Sequence, residues 1–363
     1  QCVDDTGGLF VAVSGDDENY IADFASRCAR CGIAATPIDP KAAMEMEPCL
    51  SPDVIAAFAV EDASIDPFKL SLDNLAHAGA MGATHLLHHE VVGFEQRGRR
   101  ITAVRLMDHR HGCELRVHAD QLVNASGAWA GAVAAMVGSR IDMVYSQGTL
   151  IVCQMRLGQR VINRLRKAAD ADILVPAGTV SIFGTTSRRI DTPDNYRPTT
   201  AEIDAVVDDG MAMIPALAGT RYIRAYAGVR PLVQSGSGVD DRAVSRGFSL
   251  LDHDVDGLDN FISITGGKLT TYRLMAEKTA DLVCQRLGIT IDCRTAQEPL
   301  PASDAARYTE PGFTPRMWFQ RKDPSDLLLC ECEMVPTSVF HEIASSLSDN
   351  GFRPGLREMG QRS

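Results

Sequence analysis

Ile262-Ser263-Ile264-Thr265-Gly266-Gly267-Lys268-Leu269-Thr270-Thr271-Tyr272-Arg273 is the stretch that decides the fold class of this chain. Its opening residues are β-branched or small and predict a strand, while Leu274, Ala280, Leu282 and Val283 carry on with the apolar spacing of a helix. Two glycines join them. Glycine between a buried strand and a helix lets a ligand approach the main chain, and the N–H groups of the first helical turn then point at it. Such a junction suits an anionic or carbonyl-rich group, with Lys268 adding charge and Thr270 and Thr271 adding hydroxyls. An ordinary helix start with a solvated lysine has the same residues, and the stretch alone permits both.

A second junction of this kind lies upstream. Gln121-Leu122-Val123-Asn124-Ala125-Ser126-Gly127-Ala128-Trp129 predicts a strand running through small residues into a helix over Trp129 to Val137, a pattern that admits a nucleotide but also eases plain strand–helix packing.

The 363 residues, 45% apolar and 23% charged, are ordinary for a globular chain. A net charge of −11 argues against a nucleic-acid partner, because phosphate-backbone binding needs a basic face. No apolar run reaches the roughly 18 residues of a membrane span, and no basic-then-apolar leader opens the chain. The expectation is a soluble, cytoplasmic protein. It begins at Gln1 without Met and enters the strand Leu9 to Val13 almost at once, which suggests a fragment. Ten cysteines without secreted-type regularity suggest a reduced compartment; Cys28 and Cys31 sit in a helical context with no second pair to complete a zinc site. Cys330-Glu331-Cys332 differs, because two thiols flank a charge in a tail beyond the globular pattern.

Taken in order, helices are expected over Asp16 to Gly32, Lys41 to Glu47 and Phe68 to Met81, the last two opened by Asp39-Pro40 and Asp66-Pro67. Strands follow at His89 to Phe94, Ile101 to Leu106 and Cys113 to Val117, joined by turns at Arg97 to Arg100 and His109 to Gly112. The histidines here share no ligand face. Tyr145 to Cys153, Asp172 to Pro176 and Val180 to Ser187 predict a separate, mostly antiparallel layer over a ligand, with Arg156 to Asp170 as a long connection. A helix over Ala201 to Met213 and a strand over Tyr222 to Val233 come next. Arg230, Arg246 and Lys268 each stand at a strand end or helix start. They either converge on one phosphate or carboxylate, or pair singly with neighbours such as Asp240, Asp241 or Asp252.

Several stretches together resemble the FAD-dependent glycerol-3-phosphate dehydrogenase family, within the D-amino-acid-oxidase-like flavoproteins. They are Val123 to Trp129, Gly184-Thr185-Thr186, Ala227-Gly228-Val229-Arg230-Pro231-Leu232, Val244-Ser245-Arg246-Gly247 and Thr265 to Arg273. The likeness runs in order over nearly the whole chain. Arg221 to Tyr226 and Leu329-Cys330-Glu331-Cys332-Glu333-Met334-Val335 resemble the catalytic A subunit of the family's anaerobic members, the latter as the start of a bacterioferritin-associated-ferredoxin-like domain that holds a [2Fe–2S] cluster on four cysteines. Cys330 and Cys332 are then half of that metal site, since the sequence ends at Ser363 before a second pair. The family's glycine-rich fingerprint does not follow Gln1, and Gln147 stands where the family usually has lysine.

The resemblance implies an α/β (α+β) fold of the D-amino-acid-oxidase/glutathione-reductase-like type, lacking its first βαβ unit and carrying an antiparallel substrate-domain sheet. It implies a partial FAD-binding domain with interleaved substrate segments over 1–140, a substrate or cap domain over 141–255, a return to the FAD domain over 256–290, a linker over 291–325 and a truncated iron–sulfur domain over 326–363. The implied reaction oxidises sn-glycerol 3-phosphate to dihydroxyacetone phosphate with hydride passing from C2 to FAD, and electrons reach a quinone through partners. Arg230 and Lys268 are the expected catalytic residues, and Arg230, Arg246 and Lys268 the expected substrate contacts. Val91, Ala125, Ser126, Gly127, Gly266, Gly267, Lys268, Leu269 and Thr270 are expected to hold FAD. The implied partners are a second flavoprotein subunit, together with an iron–sulfur membrane-anchor subunit, which would keep the chain at the inner face of the cell membrane. The alternatives are an oxidase or dehydrogenase of an amino acid or other small acid on the same fold, or an inactive fragment unable to hold FAD.

Overall fold

The apolar run that opens the chain becomes the middle of its largest sheet. The computed structural model describes residues 2–233, 247–300, 325–330 and 335–349. In order the first part holds β1 (Val3–Asp4), β2 (Gly8–Val13), α1 (Glu18–Arg30), β3 (Ala35–Ile38), α2 (Pro40–Met46), β4 (Val54–Val60), β5 (Ser64–Ile65) and α3 (Pro67–Ala80). Each helix starts where side-chain oxygen meets unpaired N–H. Asp17 accepts from the amides of Asn19 and Tyr20, Asp39 from those of Lys41 and Ala42, and Asp66 from those of Phe68 and Lys69. Proline at the first helical position of α2 and α3 has no N–H to leave unpaired.

A three-stranded antiparallel meander follows, β6 (His89–Arg97), β7 (Arg100–Asp108) and β8 (Cys113–Val117). Then come β9 (Leu122–Asn124), the 3-10 turn Gly127–Trp129 and α4 (Ala130–Ala135). The middle supplies β10 (Met143–Cys153), β11 (Val161–Arg164), β12 (Ile173–Ala177), β13 (Val180–Gly184), β14 (Arg188–Ile190), α5 (Thr200–Gly210) and β15 (Tyr222–Val233). The last described parts are β16 (Phe248–Asp252), β17 (Phe261–Gly266), α6 (Tyr272–Arg286), β18 (Leu328–Cys330), β19 (Val335–Pro336) and α7 (Thr337–Asp349).

Nine strands form one sheet in the order β14-β10-β13-β12-β11-β2-β4-β3, with β15 pairing β10. Its ladders are antiparallel except that β11 runs parallel to β2, Val161 opposite Gly8. Two sequence expectations change here. Arg156 to Asp170 is more than a connection, because β11 lies inside it. Nor is the middle a separate layer, because β11 stitches it to β2. The run Val161-Ile162-Asn163-Arg164 is short and flanked by basic residues, so its partner, far back in the chain, is what makes it a strand.

β2 is apolar at every position because both its faces are covered. Leu9, Val11 and Val13 join Ile151, Cys153, Ile162, Phe183 and the α5 residue Val206 in one core, while Ala12 packs with Phe24 of α1 and Leu165 in another. Full burial of each large side chain contributes roughly 1.5–3 kcal/mol. A second, smaller sheet, β16-β17-β9, has its own core of Ile101, Ala130, Ala134, Ile141, Leu258 and Phe261. Asn260 fastens the meander to it, accepting from Ile101 N at 2.9 Å and donating to Ile101 O at 2.9 Å. Among the described residues no helix is long and apolar enough to cross a membrane.

Candidate active site: an arginine and two glycine turns

β9 and β17 are parallel neighbours, Asn124 opposite Ser263, so both glycine junctions emerge from the same end of the small sheet. Ligands of open α/β sheets sit at the carboxyl ends of parallel strands, because helix starts and free main-chain amides collect there. The two junctions touch: Thr265 Oγ1 donates to Gly127 O at 3.2 Å. Asn124 shapes the first, accepting from Ser126 Oγ at 2.6 Å and donating to Ala130 O at 3.0 Å. Gly127 has φ of +60° and nothing within 4 Å of where a Cβ would stand, so the main chain there is open to a close approach. Gly267, at φ +72°, is different, since a Cβ would meet Met275 Sδ at 2.5 Å and Thr271 Oγ1 at 2.9 Å. There glycine is needed for the chain to turn against α6.

The structure thus brings together the junctions that carry Ala125, Ser126 and Gly127 and Gly266, Gly267, Lys268, Leu269 and Thr270. Lys268, Leu269 and Thr270 are exposed. Lys268 is located by its main chain, its N–H donating to Thr271 Oγ1 at 3.0 Å and its carbonyl accepting from the same hydroxyl at 2.8 Å. Val91 lies in β6 opposite Leu106, at a bulge in the ladder, on the strand whose Phe94 meets Phe261 edge-on. Arg246 and Cys332 lie outside the described residues, and Cys330 is the last residue of β18.

Arg230 is on β15, the strand that packs against both β17 and the turn Gly127–Trp129. It sits opposite Ser146 of β10 and is half-buried. Its guanidinium reaches across β10 to the gap between β13 and β14, where it donates to Thr186 O at 3.2 Å and to Thr185 Oγ1 at 3.0 Å. Gly148 makes this crossing possible. A Cβ there would lie 2.3 Å from Arg230 Nη2 and 2.7 Å from Cζ. On β15 the same face carries Arg224, Tyr226 and Gly228, since side chains two apart share a face. Arg224 lies over the Tyr226 ring at 5.5 Å, and nothing stands within 4 Å of a Cβ built at Gly228. Burial raises the Tyr226 phenol above its ordinary value despite Arg224, so it stays neutral at pH 7.

On the opposite face Gln147 and Thr149, both fully buried, point toward α5. Gln147 Nε2 donates to Glu202 Oε1 at 3.1 Å and to Arg197 O at 3.1 Å, while its Oε1 accepts from Arg188 at 3.2 Å. Burial pushes the Glu202 carboxyl up, but hydrogen bonds from the Thr199 side chain and main chain, with Arg188 nearby, hold it below the ordinary glutamate value. A tether joins the two sheets at the rim, Trp129 Nε1 donating to Asp194 Oδ1 at 2.7 Å. That indole bond, helped by Thr192, lowers the Asp194 carboxyl.

Sequence reasoning assigned no role to Gly148, Thr185, Thr186, Glu202 or Thr265. Gly148 carried a signal, because glycine inside a strand marks a close approach. One further constellation has hydrolase-like distances: His253 Nε2 lies 2.8 Å from Ser263 Oγ and His253 Nδ1 lies 2.7 Å from Asp256 Oδ2. Ser263 is fully buried and His253 is 2% exposed, so no substrate reaches the hydroxyl and the trio braces β17.

Comparison with known proteins gives this site a context. The model of the FAD dependent oxidoreductase family matches residues 2–282. The chain is 41% identical over 371 residues to the A subunit of anaerobic glycerol-3-phosphate dehydrogenase from Escherichia coli (strain K12), covering 96% of this chain and 68% of that protein. It is 46% identical over 309 residues to the A subunit of the same enzyme from Haemophilus influenzae, covering 84% of this chain and 55% of that one. Among solved structures, the FAD complex of the glycerol-3-phosphate dehydrogenase from Bacillus halodurans superposes with a TM-score of 0.62 at 21% identity, over 97% of this chain and 60% of that one. The L-proline dehydrogenase from P. horikoshii gives 0.63 at 22% identity, over 79% and 74%. At these identities the structures speak for the fold.

Proposed function

This chain belongs to the FAD dependent oxidoreductase family, and on that premise we propose that it oxidises sn-glycerol 3-phosphate to dihydroxyacetone phosphate as the A subunit of an anaerobic, quinone-linked enzyme. The observation that carries the assignment is the 41% identity across 96% of the chain with an A subunit of that name.

The residues present suit FAD. Two linked glycine junctions, one of them open above Gly127, lie at the carboxyl ends of β9 and β17. Ala125, Ser126 and Gly127 would lie along the cofactor, Gly266, Gly267, Leu269 and Thr270 would offer main chain to it, and Val91 would meet its adenine. FAD, when bound, supplies the acceptor for the hydride that leaves C2. Lys268, exposed at the start of the turn into α6, would add positive charge beside main-chain N–H groups that already favour a negative group of the cofactor. Arg230 fixes the phosphate or the reacting oxygen. Its bonds to Thr185 and Thr186 hold the guanidinium in place, and a held guanidinium loses little freedom when an anion arrives. Arg246 would complete the phosphate clamp, and Cys330 with Cys332 would supply two ligands of a [2Fe–2S] cluster. A second flavoprotein and an iron–sulfur membrane anchor, as partner subunits, would carry electrons to quinone and hold the chain at the inner face of the membrane.

The same Arg230 would grip a carboxylate if the substrate were a small amino or imino acid. Assay of the FAD-supplemented protein with an artificial electron acceptor separates the two. Turnover of sn-glycerol 3-phosphate is expected; oxidation of proline or glycine without it would overturn the assignment.

A further inference from the structure

We propose that Glu202 is a positioning residue for Arg230, acting through the Thr185–Thr186 peptide from the far face of the sheet. The inference rests on the functional assignment above only for its choice of substrate.

Arg230 donates to two oxygens, Thr186 O and Thr185 Oγ1, that belong to the link between β13 and β14. Main-chain bonds hold it at two points, Thr186 N to Thr149 O at 3.3 Å and Ala171 N to Thr185 O at 3.3 Å, and a side chain can fasten it further. Thr186 does so through its side chain. Its hydroxyl accepts from Thr149 N at 2.9 Å and donates to Glu202 Oε1 at 3.4 Å. Thr149 Oγ1 donates to the same carboxylate oxygen at 3.2 Å, and Gln147 Nε2 at 3.1 Å. The other oxygen accepts from Thr199 N at 3.0 Å and Thr199 Oγ1 at 2.9 Å, as the acidic half of the capping box that starts α5. Five donor groups therefore meet one carboxylate whose side chain is 11% exposed. All five groups donate, so both oxygens must accept, which only an ionised carboxylate allows. An amide keeps one oxygen, which the Thr199 main-chain N–H cannot turn away from, so Glu202→Gln keeps the cap, turns its NH2 on the rotatable hydroxyls of Thr149 and Thr186, and releases the link.

Glu202 thus has two separable tasks, starting a helix and pinning the arginine's support. Thr199→Ala removes the first alone; Glu202→Gln and Thr186→Val remove the second; Thr186→Ser keeps it. In the FAD-loaded protein, Glu202→Gln and Thr186→Val are expected to raise KM for sn-glycerol 3-phosphate about tenfold with a smaller change in kcat, because a misdirected guanidinium loses about one charged hydrogen bond to the anion. Thr186→Ser should return KM to the wild-type value, and Thr199→Ala should leave it there while lowering Tm. An unchanged KM in Glu202→Gln, or an equal rise in Thr199→Ala, overturns the proposal, the latter because the effect is then helix stability. Amide hydrogen exchange at Thr149 and across 185–187 gives a reading independent of substrate. Faster exchange in Glu202→Gln than in Thr199→Ala is expected, and equal exchange overturns the pin even if wild-type protein proves to oxidise something other than glycerol 3-phosphate.

Discussion

Arg230 lies half-buried across β10 with its guanidinium bonded to Thr185 and Thr186, whereas Lys268 stands exposed at a helix entrance, located by bonds between its own main chain and Thr271. One cation is held by the link between β13 and β14, which side chains of β10 and α5 brace. The other is delivered by backbone geometry, and its ammonium keeps its rotamer freedom. The contrast matches the two roles proposed above, Arg230 for the substrate and Lys268 for the cofactor. A small substrate must be held in one orientation for C2 to react, so its anchor is fixed before binding. A large cofactor is gripped along a length of main chain, so glycine turns do the orienting and a mobile charge suffices.

If that contrast is correct, disturbing the fixed anchor costs far more than disturbing the mobile one. Gly148→Ala should be the most damaging single change. Its Cβ would fall 2.3 Å from Arg230 Nη2, so the guanidinium must leave its crossing. A loss of roughly a hundredfold in kcat/KM is expected, as for a misplacement of about 1 Å, with FAD binding intact by absorption spectrum. Arg230→Lys comes next. A lysine keeps the charge but cannot bond Thr185, Thr186 and an anion in one plane, and a fall of about tenfold to a hundredfold in kcat/KM is expected by steady-state assay. Lys268→Met should act more weakly, about tenfold on FAD affinity in a fluorescence titration of the apoprotein, because the main chain that carries the turn is unchanged. A Lys268 effect exceeding that of Gly148→Ala would reverse the comparison.

The smallest effect concerns pH. Glu202 is held below the ordinary glutamate value of 4.5 in the folded protein, so its unfolded form takes up a proton first as pH falls. Its stabilisation is complete above that value and disappears as pH drops through the lower folded pKa. Melting temperature should therefore fall more steeply with acidification below pH 4.5 in wild type than in Glu202→Gln.

Local signals made much of this legible. The strand, glycine pair and helix around Gly266 are encoded within a dozen adjacent residues, and each Asp-Pro pair announces its own helix start. The hairpins of the meander are equally self-contained. What escaped depends on distance. Val161 to Arg164 is a strand because β2 lies beside it, and nothing in those four residues says so. Glu202 looks like half of an ordinary capping box, which it is; its hold on Thr186 exists only once α5 covers β10. Gln147 could be noticed as an unusual residue, but its bonds to Glu202, Arg188 and Arg197 come from three separate places in the chain.

The parallel pairing of β2 with β11 also sets a schedule for biosynthesis. Gly8 to Val13 can zip against β4 soon after Val60 leaves the ribosome, yet the strand's second edge stays bare until Val161 to Arg164 has been made. Throughout that interval a flat hydrophobic ribbon is available to strangers as readily as to its own partner. Elongation speed across the first half of the message, and chaperone capture of stalled chains ending between those two strands, should therefore govern how much soluble protein a cell recovers.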